Sequence, residues 1–251
     1  MKKTAHTGLG VAGPGAAGAG VAGAGQESAG ESAQPPSAGG RRVRRDSLSA
    51  KIRIIEAGEQ LMAERGIDGP SLREIAEASG NRNTNAVQYH FGSKDGLLQA
   101  IFAHRVKQMD GPRRQMLAAA ERNGKLDDPK TLLEALCLPH VDIVDAAGRH
   151  NYSTLLCNYI IRFRPVGILH AADHAGVHSP ALKRIQHHLG EVVGWLPEAL
   201  RIKRLELCSL MFFNMLSLSD AESVATTDPD LFSRYVDDTM NLVAGAFTLR
   251  P

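Results

Sequence analysis

Beyond residue 47, apolar residues recur at three- and four-residue spacing along most of the chain, and no run of alternating residues demands a strand. The spacing predicts a first helix over 49–65 that buries Ile52, Ile55, Leu61 and Met62 and stops at Gly66. Ser71 opens a short second helix with Leu72, Ile75 and Ala76 on one face, and Glu74 at its third position supplies a capping box. Gly80 ends it. A third short helix over 83–90 buries Ala86 and Val87 and turns Asn83, Thr84, Asn85, Gln88, Tyr89 and His90 outward. Ser93 caps a fourth helix whose face Leu97, Leu98, Ile101 and Phe102 packs on the first three, and which continues through Met109 to a break at Gly111-Pro112.

The pattern stays helical to the end. Expected helices cover 113–123, 129–146, 152–162, 180–196, 198–218 and 229–249. Asp128, Ser179 and Asp228 each precede a proline, which is the signature of a capped helix start. Pro139 kinks the second of these helices or splits it in two. The last two helices carry more apolar residues than one face needs: Leu205, Leu207, Leu210, Met211, Phe212, Phe213, Met215, Leu216 and Leu218 point nearly all round one of them. Such a helix is covered on more than one side, either by a second copy of the chain or as the central helix of a monomer.

Helix, glycine turn and helix, followed by a capped helix, is the arrangement of a DNA-reading unit. Outward amides, hydroxyls and an aromatic ring suit base edges and phosphates. At these residues the chain resembles the TetR family of one-component transcriptional regulators. The elements that carry the resemblance stand in order at Ala57 to Gly66, Ser71, Ile75 and Ala76, Ser79 and Gly80, Tyr89-His90-Phe91, and Ser93-Lys94. It covers roughly residues 47 to 104. Between Gly80 and Phe91 the family pattern has one residue fewer, so Asn81-Arg82-Asn83 holds an insertion at the turn or an extra residue before the recognition helix, and whether Asn83, Thr84 or Asn85 meets a base edge stays open. Gln88 stands where the family often has Tyr; Gln can pair bidentately with adenine or hold a phosphate.

The resemblance implies a homodimer formed by the last two helices, a double-stranded DNA operator, and a small-molecule effector in a pocket among the central helices. Candidate pocket residues are Leu155, Asn158, Tyr159, Arg162 and Phe163 on one helix, with Trp195, Met211 and Met215 on others. For each of them an ordinary core role is the alternative. Candidate DNA contacts are Arg42, Arg44, Arg45, Ser71, Arg82, Asn83, Thr84, Asn85, Gln88, Tyr89, His90 and Lys94.

Net charge changes the picture little, because it is only +2 over the 251 residues. Its placement matters more. Arg41, Arg42, Arg44 and Arg45 cluster just ahead of the first helix, where a basic arm can enter a minor groove or neutralise phosphates; a solvated charge run is the alternative. Residues 1–40 are rich in Gly and Ala and are expected to be disordered. Two matches to the dinucleotide fingerprint, at Gly8-Leu9-Gly10 with Gly13 and at Gly18-Ala19-Gly20 with Gly23, fall in this tract with no strand before them and are chance matches.

Cys137, Cys157 and Cys208 are too scattered for a disulfide framework and read as buried thiols. No stretch reaches the roughly 18 apolar residues a membrane span requires, and the basic start is not followed by the apolar core of a signal peptide. A cytoplasmic location is expected. His170, His174 and His178, with His187 and His188 beyond, invite a metal argument, but no partnering Glu or Cys motif accompanies them. No nucleophile elbow, Walker loop or CxxC pair points to an enzyme, and no cofactor is expected.

The reading is an all-α chain with a Gly/Ala-rich tail (1–40), a basic arm (41–46), a three-helix DNA-binding domain with helix-turn-helix (47–95), and a helical ligand-sensing and dimerisation domain (96–251). The function expected is a ligand-responsive transcriptional regulator, a repressor by preference. The alternative is a helical interaction protein without sequence-specific DNA binding.

Overall fold

The computed structural model describes residues 38–81, 83, 85–173 and 179–250. Among these every regular element is helical. The reading unit contains α1 (Ala38–Arg65), α2 (Leu72–Ala78) and α3 (Ala86–Phe91). The long α4 (Lys94–Arg122) leads out of it. The second half holds α5 (Pro129–Cys137), α6 (Asn151–Arg162), α7 (Pro180–Val192), α8 (Glu198–Ala221), a short α9 (Val224–Thr227) and α10 (Pro229–Thr248).

α1 forms because Ile54, Ile55, Gly58, Glu59, Met62 and Ala63 repeat at helical spacing and all turn inward. Ile52 and Leu61, expected in that core, are half-buried at its margin. Gly66 ends the helix with φ +81°, a conformation glycine adopts at no steric cost. The helix begins at Ala38 rather than near residue 49, so Arg41 to Arg45 stand on its first turns and not in an extended arm. The tail before residue 38, with both fingerprint matches, lies outside the described residues.

The expected break at Gly111-Pro112 does not occur. α4 runs through Pro112 for 29 residues, which at 1.5 Å per residue is about 43 Å. Pro112 and Gln108, whose carbonyl loses its donor, are both exposed, and water can replace that bond; Arg113, Leu117 and Ala120 beyond the proline are buried and hold the helix in place. In contrast, Pro139 does divide its segment: α5 ends at Cys137, a 3-10 turn covers Leu138–His140, and an irregular connection replaces the remainder of the helix expected to residue 146. Asp128 and Asp228 cap α5 and α10 by accepting from the Thr131 and Leu231 amides, whereas Ser179 makes no side-chain cap to α7.

One core of buried residues runs from Ile54 in α1 through Phe102 in α4 and Tyr159 in α6 to Phe247 in α10. α1 packs on α4 and α6, α4 on α5 and α7, and α8 lies between α6 and α10. Reading unit and second half thus share α4 and α1. The three cysteines are free and buried.

Candidate functional site

The outward face of α3 is set by what lies beneath it. Ala86 and Val87 are buried, leaving Gln88 exposed and Tyr89 83% exposed at the tip, with the His90 ring edge-on to Tyr89 at 5.1 Å. Asn83 acts locally, since its Oδ1 accepts from the Asn85 amide at 3.0 Å and so opens the helix. Asn85 sits at the N-cap, is exposed and makes no cap bond with its side chain, so its amide group is available to a partner. The site residues Arg82 and Thr84 lie outside the described residues, as do the side chains of Arg42, Arg44 and Arg45.

Ser71 and Lys94 are tied into the structure. The Ser71 hydroxyl accepts from the Glu74 amide at 3.2 Å, while the Glu74 carboxylate accepts from the Ser71 amide at 2.7 Å, completing the capping box. Those bonds from Ser71 hold the Glu74 carboxyl below the usual carboxylate range. Lys94 Nζ donates to the Asp68 carbonyl at 2.7 Å, pinning the start of α4 to the loop after α1 and leaving two of its three donors for another acceptor. Ser93 caps α4 by accepting from the Gly96 amide at 3.0 Å. A Cβ at Gly96 would lie 2.0 Å from the Phe91 carbonyl oxygen, so any other residue there forces the backbone to shift. The approach of α3 to α4 depends on that missing carbon.

Where α1 meets α4, Glu59 and Arg105 form a buried two-pronged ion pair at 2.7 and 2.8 Å, with 4% and 7% exposure. Burial raises the Glu59 pKa, and the bond from Arg105 opposes that shift; Arg105 is held more firmly charged by Glu59 against the opposite pull of burial. The pair crosslinks the helix that carries the reader to the helix that leaves it, and nothing in the local sequence pattern singles out these two charges as partners.

A cavity of about 500 Å³ opens between α4, α5, α6, α7 and α8. Its inner end is buried: Arg113, His140, Tyr152 and Phe213, with the His140 ring stacked on Tyr152 at 5.6 Å and tilted against Phe213 at 4.6 Å. Val106, Met109, Leu136 and Leu156 supply apolar wall. Toward the exterior stand Asp173, Glu198, Arg201 and Ile202, with Arg164 bridging Asp173 at 2.8 Å and Glu206 at 2.7 Å. Burial drives the His140 pKa well below its ordinary value and lowers that of Arg113.

Of the eight pocket residues expected from sequence, Tyr159 alone lines this cavity. It is buried, and its hydroxyl donates to the Ile168 carbonyl at 2.7 Å. Leu155 is fully buried core, and Asn158 Nδ2 donates to the Thr154 carbonyl. Arg162 is exposed and Phe163 half-buried at the end of α6. Trp195 is 39% exposed with the Arg204 and Arg250 guanidinium groups each 5.4 Å from its ring, Met211 is 40% exposed, and half-buried Met215 lies against Ser219. The neighbouring positions Tyr152, Leu156, Ile160 and Arg164 line the cavity instead. A helix turned by one residue moves a side chain 100°, so sequence spacing located the helix but not its inward face.

Among the described residues no group of three His, Cys, Asp or Glu side chains is placed to hold a metal. The His170 Nε2 lies 3.2 Å from the Tyr152 hydroxyl, His187 and His188 are ring neighbours on α7, and His174 and His178 lie outside the described residues. No described helix is long and apolar enough to cross a membrane.

Short capped helix, glycine turn, exposed second helix and buttressing first and fourth helices define a helix-turn-helix protein of the all-α class. Residues 54–101 match the profile of bacterial regulatory proteins of the TetR family. It is 28% identical over 154 residues to the HTH-type transcriptional regulator BetI of Paraburkholderia phymatum, covering 61% of this chain and 64% of that relative. The protein of the same name from Burkholderia cenocepacia is 27% identical over 152 residues, again 61% of this chain and 64% of the relative. That of Burkholderia ambifaria is 31% identical over 107 residues, 43% of this chain and 49% of the relative. The chain thus spans less than two thirds of the length of these relatives.

Proposed function

We propose that this chain is a ligand-responsive, non-enzymatic transcriptional regulator of the cytoplasm, acting as a repressor, that binds a near-palindromic operator as a homodimer. The observation that carries the reading is the placement of Asn85, Gln88 and Tyr89 on the open side of a helix whose other side is locked down by Ala86 and Val87. Amides there can pair with base edges in the major groove, while Tyr89 and the remaining donors of Lys94 serve phosphates.

The homodimer is supported by the apolar surface of the last long helices. Leu207, Met211 and Leu218 on α8 and Leu242 on α10 are 58%, 40%, 62% and 57% exposed. Leu207, Met211 and Leu218 share one side of α8 by helical spacing, and an exposed apolar face of that kind needs a cover, which a second copy supplies isologously. Two reading helices related by a two-fold axis then meet major grooves about 34 Å apart or a multiple of that.

The mechanism we propose is a population shift carried by α4. One end of that helix is capped inside the reading unit, and its middle contributes Val106, Met109 and Arg113 to the cavity wall. A ligand that favours one setting of α4 changes the separation of the two readers. Coupling of about 1–3 kcal/mol changes operator affinity by some 5 to 150 fold, which suffices to relieve repression.

The test is fluorescence anisotropy with DNA flanking the chain's own gene, across a salt series and with random DNA as competitor. Gln88→Ala and Tyr89→Ala are each expected to weaken operator binding by about tenfold or more while leaving the fold intact. Affinity unchanged in both variants would instead mark a helical protein whose α3 does not read DNA.

A further inference from the structure

We infer that the cavity takes an organic anion, a carboxylate-bearing molecule with an apolar body, whose acid group is received by Arg113 and His140. The inference rests on the reading of this cavity as the effector site.

Arg113 is 2% exposed and has no carboxylate partner among the described residues. Its Nη2 donates to the Leu136 carbonyl at 3.1 Å and lies 3.3 Å from His140 Nε2. A guanidinium offers only donors, so His140 Nε2 must accept, and the proton of the neutral imidazole then sits on Nδ1. His140 Nδ1 has no partner, and neither do Nε and Nη1 of Arg113. Toward the mouth, Arg201 Nε is also unmatched. All the buried side-chain atoms of the described cavity wall that lack a partner are therefore N–H donors. The inner end, where Arg113 and His140 stand, lacks a negative acceptor, since the carboxylates of the wall, Asp173, Glu198 and Glu206, all lie toward the exterior.

The carboxylates nearby are already engaged. Asp110, the acid that bears electrostatically on Arg113, accepts from the Ala181 amide at 3.2 Å and the Ser179 hydroxyl at 3.4 Å. Asp173 and Glu206 hold Arg164 at the outer end, and Glu198 lies on the exposed start of α8. A buried charge without a partner is among the costliest features a core can hold, and a ligand carboxylate offers the planar pair of acceptors that a guanidinium fits. Val106, Met109, Leu156 and Phe213 form an apolar sleeve leading from that end, so the rest of the ligand is hydrocarbon or aromatic. The volume of about 500 Å³ falls within the range of small-molecule sites.

The experiment is titration calorimetry on the full chain without DNA, using probes that differ only in headgroup: decanoate, decan-1-ol and decylamine, and 2-naphthoate against 2-naphthol. At least one acid is expected to bind about tenfold or more tightly than its alcohol, with the amine weakest. In Arg113→Met the acid should fall to the level of the alcohol, while the ligand-free Tm stays at or above that of the unmodified chain. Equal binding of acid and alcohol, tighter binding of the amine, absence of binding by both acids, or an acid preference that survives in R113M would each overturn the inference. Should R113M fail to fold, the order of headgroups on the unmodified chain decides. Operator release is measured separately. An acid that binds through Arg113 without releasing DNA leaves the inference standing and sinks the regulatory reading; release by the amine does the reverse.

Discussion

The reading unit and the cavity treat buried and half-buried polar groups in opposite ways. Around α2, α3 and the start of α4, Ser71 and Glu74 satisfy each other, Ser79 Oγ donates to the Ala76 carbonyl, Ser93 caps Gly96, and Lys94 holds the Asp68 carbonyl. At the inner end of the cavity, Arg113 and His140 keep donors with no acceptor. In the first region the caps and turns bond one another and present a fixed surface. The second holds a cost in reserve, which a bound partner can relieve, as the proposed effector site requires.

The link between the two regions is the place to break that contrast most severely. Glu59→Ala would strand the Arg105 guanidinium in the core between α1 and α4, and we expect a loss of about 3–5 kcal/mol in chemical denaturation. A loss under about 1 kcal/mol would show that the pair does not crosslink the two helices. Next in size is Gly96→Ala, whose new methyl group would press on the Phe91 carbonyl; the expected cost is about 1–3 kcal/mol, with disturbance of the α3 to α4 approach visible in amide hydrogen exchange.

The exposed face of the second half is tested by Leu207→Glu. A charge in the middle of a self-complementary apolar contact should raise the dimer dissociation constant by about tenfold or more, about 1.4 kcal/mol, in sedimentation equilibrium. An unchanged constant would remove α8 from the interface. Smallest is Asp128→Ala at the start of α5, expected to cost about 1 kcal/mol at neutral pH. The bond from the Thr131 hydroxyl, with the Thr131 amide, lowers the Asp128 pKa in the folded chain. Its contribution is therefore complete above the ordinary carboxylate range and disappears as pH falls through the lowered folded value. The difference in stability between the two proteins should shrink on acidification; a constant difference would mean the cap acts without its charge.

How much of this was legible in the sequence follows the same division. The capping box at Ser71 and Glu74, the glycine stop at Gly66 and the cap at Ser93 are dictated by residues within four positions of one another, so a linear reading finds them. Pro112 misled the reading of α4, since a helix tolerates a proline on its wet side when the turns beyond it are anchored by Arg113 and Leu117. Arg41 to Arg45 read as an arm because their charge hid the continuity of α1. The cavity was the least legible, because Leu155 and Leu156 are equally apolar and only the neighbours of α6 decide which of them faces the space. Arg113 carried no signal at all: in sequence it is one of two arginines after a proline, and only its burial sets it apart from Arg114.

Reading of a DNA sequence by α3 is the step on which the proposed function depends. It is tested most directly by selecting binding sites from a random duplex pool with the full chain and sequencing what is retained. Strong enrichment is expected of a near-palindrome whose half-sites are spaced by about one helical turn or a multiple, with affinity that falls steeply as salt rises. A retained pool with no enriched sequence, at any salt concentration where the chain still binds, would contradict it.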